Sequence, residues 1–103
     1  MSDPTLLVLA SLAEGDKHGY AMMEDVERFA GVRLGPGTLY GAITRLEQKG
    51  WIKPVAGDDR RRPYRITAAG KKYLETQAAS LSQIVRTAQE RSGGVAFAVR
   101  RRV

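Results

Sequence analysis

The chain has no cysteine and only one histidine, His18, in 103 residues. Those two shortages remove disulfide frameworks, thiolate metal sites, thiol nucleophiles and histidine-based metal clusters. Gly35-Pro36-Gly37 has Tyr40 where a dinucleotide fingerprint needs glycine, and no Gly-Lys-Ser/Thr follows to make a P-loop. His18 has no nucleophile or metal partner in sight and reads as a local hydrogen-bonding residue at a helix start. An enzyme is therefore disfavoured, and no cofactor or metal is implied. Long apolar runs are scarce too. The longest, residues 5–13, is too short to cross a bilayer, and only Asp3 is charged before it, so it is no signal peptide. The cytoplasm is the expected location, with no membrane partner.

What is present is a small basic chain with enough apolar residues to fold. Hydrophobic residues make up 43% of it, which argues against wholesale disorder. Its length favours a single modest core, to which burial in an oligomer would add. The net charge of +6 is unevenly placed. Residues 1–35 carry three basic and six acidic groups, residues 36–66 seven and three, and residues 67–103 seven and two. Positive charge confined to the later two-thirds points to a polyanion partner.

Periodicity divides the chain into helix, helix, helix, hairpin and long helix. Asp3-Pro4 supplies a cap and a first-turn proline for a helix apolar on several sides, with Gly15 stopping it. A second helix is expected over residues 19–29, with Met22, Val26 and Phe29 inward, Glu24, Asp25, Glu27 and Arg28 outward, and Gly31 at its end. Residues 35–38 read as a turn into a third helix over about 38–49, whose stripe is Leu39, Ile43 and Leu46 with Ala42 beside them. Gly50 closes that helix. Residues 51–55 and 64–66 read as strands around a polar loop whose turn chemistry comes from Gly57, Asp58 and Asp59. Pro54 and Pro63 mark both as edge strands. Thr67 caps a last helix reaching about Arg91. Leu74, Leu81 and Ala88 recur every seven residues with Ile84 and Val85 between them, close to a coiled-coil seam. The fold class is mainly α with a small β-hairpin wing: a winged helix-turn-helix over residues 1–66, a dimerisation helix over 67–92 and a basic tail over 93–103.

In such a fold the third helix enters the major groove and the hairpin reaches along the backbone. With Leu39, Ile43 and Leu46 inward, rotation of about 100° per residue puts Gly37, Gly41, Thr44 and Gln48 outward, flanked by Thr38, Tyr40 and Arg45. None of these is acidic. The glycines leave room for another molecule's backbone, and Thr44, Gln48 and Arg45 can hydrogen-bond to bases or phosphates. Arg60, Arg61 and Arg62 at the hairpin tip suit phosphate contact. The bland alternative to each is a solvated charged surface.

His18-Gly19-Tyr20, Pro36-Gly37-Thr38-Leu39-Tyr40, Arg45-Leu46-Glu47, Gly50 and Ile52, and Tyr64-Arg65-Ile66-Thr67 with Gly70 resemble the PadR-like transcriptional regulators. The resemblance covers about residues 6–75. It implies a winged helix, a homodimer, operator binding on double-stranded DNA, and repression relieved by a small-molecule effector of unknown identity. It assigns Tyr20, Thr38 and Tyr40 to the DNA surface, Leu46 to the core and Glu47 to a structural role. Gly41 stands where proline or a larger residue is common, and Trp51 replaces an aliphatic one. Short members bind flat apolar ligands between subunits through aromatic residues of the last helix. Here that helix supplies only Tyr73, with Phe97 in the tail, too few aromatics to mark such a pocket. The reading is thus a DNA-binding repressor that dimerises through Leu74, Leu81, Ile84, Val85 and Ala88. The alternative is a winged helix used for protein or RNA contact.

Overall fold

The computed structural model describes residues 3–56 and 62–93. The Gly57-Asp58-Asp59 turn, Arg60, Arg61, Phe97 and the 94–103 tail lie outside the described residues. Six elements follow in order: α1 (Pro4–Leu12), α2 (Gly19–Ala30), α3 (Pro36–Gln48), β1 (Ile52–Pro54), β2 (Tyr64–Ile66) and α4 (Ala68–Arg91).

The first helix is the pillar. Thr5 N–H donates to Asp3 Oδ1 at 3.0 Å, and Pro4 needs no partner in the first turn. Leu7, Val8, Leu9 and Leu12 are all buried, because α2, α3 and α4 each pack against α1. Its apolarity all round is thereby explained.

The second helix starts at His18, whose Nδ1 accepts from Ala21 N–H, and ends at Gly31 with φ of 68°, a left-handed turn that glycine adopts freely. Met22 and Val26 are fully buried. Two expectations fail here. Phe29 is half exposed, because the buried stripe continues one four-residue step from Val26 to Ala30. Asp25, expected outward, is buried, because Ser11 of α1 donates its hydroxyl to Asp25 Oδ2 at 2.7 Å and compensates the burial.

The third helix begins two residues earlier than its glycines suggest. Pro36 occupies its first position, where a fixed φ and a missing N–H cost nothing, and Gly35 is the cap. Leu39, Ala42, Ile43 and Leu46 form its buried stripe as expected. Gly50 follows with φ of 76°.

The strands pair antiparallel as Ile52 with Ile66, Lys53 with Arg65 and Pro54 with Tyr64. The hairpin is shorter than the 51–55 reading, and β2 is not an edge throughout. Tyr64 also exchanges backbone hydrogen bonds with Lys17, whose N–H donates at 3.2 Å and whose carbonyl accepts at 2.9 Å. The loop before α2 thus acts as a third, one-residue strand.

The last helix is capped by Thr67, whose hydroxyl accepts from Gly70 N–H at 3.1 Å. Only its start meets the core, through Tyr73 and Leu74.

Candidate nucleic-acid interface

The helical wheel of α3 is realised in three dimensions. Gly37, Thr38, Tyr40, Thr44, Arg45 and Gln48 are exposed, and Gly41 is half-buried. Thr44 donates its hydroxyl to the Tyr40 carbonyl one turn back at 2.9 Å. The only carboxylate of α3, Glu47, sits toward the wing. Burial first, and then the Glu47 charge, push the Tyr64 phenol above its usual pKa. The remaining outer face therefore carries hydroxyls, an amide and a guanidinium, but no negative charge.

Tyr20 projects from the first turn of α2 and is 62% exposed. Beside it the two family motifs touch: a methyl group on Gly19 would fall on the Tyr40 phenol. Gly19 is needed for this approach, which seats the Tyr40 ring across the start of α2. Tyr20 and Tyr40 are both exposed, and the Gly19–Tyr40 contact joins their two motifs, a juxtaposition that neither motif reveals alone.

The wing is anchored to the same loop twice. The Lys17–Tyr64 bridge fixes its backbone. Arg65 Nε and Nη2 donate to Asp16 Oδ1 and Oδ2 at 3.1 and 2.8 Å, a bidentate pair that fixes its orientation. This pairing holds the Asp16 carboxyl below its ordinary pKa and the Arg65 guanidinium above. The pairing of Asp16 with Arg65 is marked by no local pattern, because 49 residues separate them. Lys17 reaches inward instead: its ammonium donates to the Ser11 carbonyl at 2.5 Å, pairs with Glu14 at 2.7 Å and lies 3.8 Å from Asp25. Of the arginine run, Arg62 is described and exposed.

The proposed seam of α4 is divided. Leu74 is half-buried against its own core, whereas Leu81, Ile84 and Val85 are 49%, 59% and 47% exposed and Ala88 is exposed too. Among the described residues no group of three or more His, Asp or Glu side chains could hold a metal ion. No described helix is long and apolar enough to cross a membrane.

Comparison with known proteins meets this geometry. A model of the transcriptional regulator PadR-like family matches residues 8–76. The chain is 45% identical over 83 residues to an uncharacterized 37.1 kDa protein of transposon TN4556 in Streptomyces fradiae. That match takes in 81% of this chain and 24% of the relative, so the chain spans about a quarter of that longer protein. It is 33% identical over 84 residues to the transcriptional regulator Rv3488 of Mycobacterium tuberculosis, covering 79% of this chain and 78% of that one. A solved transcriptional regulator from Clostridium thermocellum superposes with a TM-score of 0.74 at 30% identity, over 84% of this chain and 87% of the other. The family match, the sequence identity and the shared fold agree, and the chain belongs to the PadR-like family of transcriptional regulators, a family of regulators and not of enzymes.

Proposed function

We propose that the chain represses transcription by binding a palindromic operator on double-stranded DNA as a homodimer. The observation that carries this reading is the outer face of α3. Seven surface positions, Gly37, Thr38, Tyr40, Gly41, Thr44, Arg45 and Gln48, offer donors, acceptors and close approach without one carboxylate. An ordinary solvated helix face mixes Glu with Lys and avoids glycine. Tyr20 extends that face, and the Arg60, Arg61 and Arg62 run is proposed for phosphate contact. Two copies joined along Leu81, Ile84, Val85 and Ala88, with Leu74 at the root of the seam, would present two such faces. A palindrome then requires them roughly 34–36 Å apart, one turn of DNA.

Selection of bound duplexes from a random pool at two salt concentrations tests the reading. Enriched inverted repeats, with affinity falling steeply as salt rises, are the expected result. Arg61→Ala should weaken all duplexes alike and flatten the salt slope by about one unit, whereas Thr44→Ala should relax base preference at one position by roughly tenfold. No enrichment, or duplex binding that ignores both changes, would favour protein or RNA contact instead.

A further inference from the structure

We infer that the junction between α3 and α4 is a stiff joint in which the Trp51–Tyr73 ring pair sets the half-site spacing a dimer accepts. The inference rests on the dimeric DNA-binding reading above.

The joint is built from the end of one helix and the start of the other. Lys49 caps α3, and its ammonium lies 5.3 Å from the centroid of the Trp51 ring. Trp51 N–H donates to the Leu46 carbonyl at 3.0 Å, which fastens the indole's backbone to the last turn of α3. From the other side, Thr67 N–H donates to the Trp51 carbonyl at 2.9 Å and Thr67 Oγ1 to the Gly50 carbonyl at 2.7 Å. Gly70 presses on the Trp51 carbonyl so closely that any Cβ there would collide with it. These contacts pin the first turn of α4 at one point, and Leu74 rests one face of the following turn on the core without a directional bond.

The aromatic pair supplies the second point. Trp51 stacks on Tyr73 with ring centroids 3.8 Å apart and planes 16° from parallel. Tyr73 lies six residues beyond Thr67, about 9 Å along the helix axis. Two fixed points that far apart define a direction. Leverage makes the direction matter: Leu81 to Val85 lie about 21–27 Å from Thr67 along α4. A pivot of about 10° at the joint would move that seam by roughly 4 Å, more than the ~3.4 Å rise of one base pair. The Trp51–Tyr73 stack therefore has the leverage to decide between neighbouring spacings. Both residues are positioning residues, for neither belongs to the outer face of α3.

The test uses the full chain and its selected operator, with the two half-sites moved apart or together one base pair at a time. The wild type should prefer one spacer over its neighbours by roughly tenfold or more, since a misplaced half-site forfeits contacts. Tyr73→Leu keeps an apolar side chain but removes the stack, and Trp51→Ile removes it from the other partner while leaving α4 untouched. Each should narrow the preference to about twofold or less while affinity for a duplex with a single half-site stays within about twofold. Trp51 is the only tryptophan, so its emission in Tyr73→Leu reports directly that the stack has opened in a folded chain. Variants that keep the full spacer preference would overturn the joint alone. So would variants that lose single-site and palindrome affinity equally, because that is a general structural defect. A wild type indifferent to spacing would overturn both the joint and the dimeric operator reading.

Discussion

Leu46 and Leu81 are the same side chain on two amphipathic helices, and the fold treats them in opposite ways. Leu46 is fully buried, whereas Leu81 is 49% exposed in company with Ile84 and Val85. The contrast extends to the regions around them. Every buried apolar side chain among the described residues lies between Leu7 and Ile66, and the only buried residue of α4 is Gly70. The winged unit therefore stands on its own core. The distal turns of α4 have none, and an unpacked helix of that length is marginal in water. The contiguous apolar stripe on such a helix is the feature on which the proposed dimer rests.

The largest expected effect separates the two regions outright. Leu46→Ala should destabilise the chain by about 2–5 kcal/mol through lost transfer energy and a cavity, whatever the protein concentration. Leu81→Asp removes nothing from the core. Its effect should appear as dissociation, with a monomer in sedimentation, residues 3–66 still folded, and operator affinity down by at least about tenfold through loss of the second contact. The comparison breaks if Leu81→Asp remains a dimer, or if Leu46→Ala is rescued simply by concentrating the protein.

A smaller effect probes what holds the winged unit together besides apolar burial. Asp25 joins α1 to α2 by accepting from Ser11, and Arg28 reaches its other oxygen at 3.2 Å. The Ser11 hydrogen bond first, and the nearby Lys17 and Arg28 charges with it, hold its pKa below the ordinary carboxylate value against the cost of burial. A depressed folded-state pKa means stability present above the ordinary carboxylate range and lost as the pH falls through and below it. Asp25→Asn keeps an acceptor for Ser11 but drops the charge, so it should cost about 1–2 kcal/mol at pH 7. The gap between the two proteins should close as acidification passes below the ordinary carboxylate range. Thermal unfolding across that range measures it. A gap independent of pH would assign Asp25's contribution to shape alone.

Asp25 also shows where the sequence stops being legible. The stripes of α3, the caps Asp3 and Thr67, and the stops at Gly31 and Gly50 were readable because each depends on neighbours within about one helical turn. Asp25 sits on the flank of the α2 stripe, and only the approach of Ser11, 14 residues earlier, decides that it is buried. Phe29 fails for the converse reason: its phase is right, but the packed face has drifted to Ala30. The Lys17–Tyr64 bridge, the Asp16–Arg65 pair and the contact of Gly19 with Tyr40 join residues 47, 49 and 21 positions apart. No periodicity spans such distances. The outer face of α3 was legible as a list of residues, whereas the seating of Tyr40 on Gly19 and the anchoring of the wing needed the fold.

The finest comparison sets two glycines against each other. Gly31 and Gly93 end α2 and α4 with nearly the same left-handed φ, 68° and 77°, and both have open space where a Cβ would go. Substituting alanine therefore introduces the same backbone strain, about 1 kcal/mol, with no clash to confuse it. The surroundings differ. After Gly31 the chain returns to the core within a few residues, since Leu34 is buried and Val32 packs against the cluster. The turn cannot open without disrupting that packing, so the whole strain should appear in global stability, as a fall in Tm of roughly 4–8 °C. No residue of 75–93 is fully buried, so α4 can release its last turn and lose only a few backbone hydrogen bonds. Gly93→Ala should then lower Tm by about 1 °C or less, at the same protein concentration. Equal losses at the two sites would mean that the end of α4 unfolds together with the core, and that the cover over its apolar stripe extends past Ala88 to the final turn.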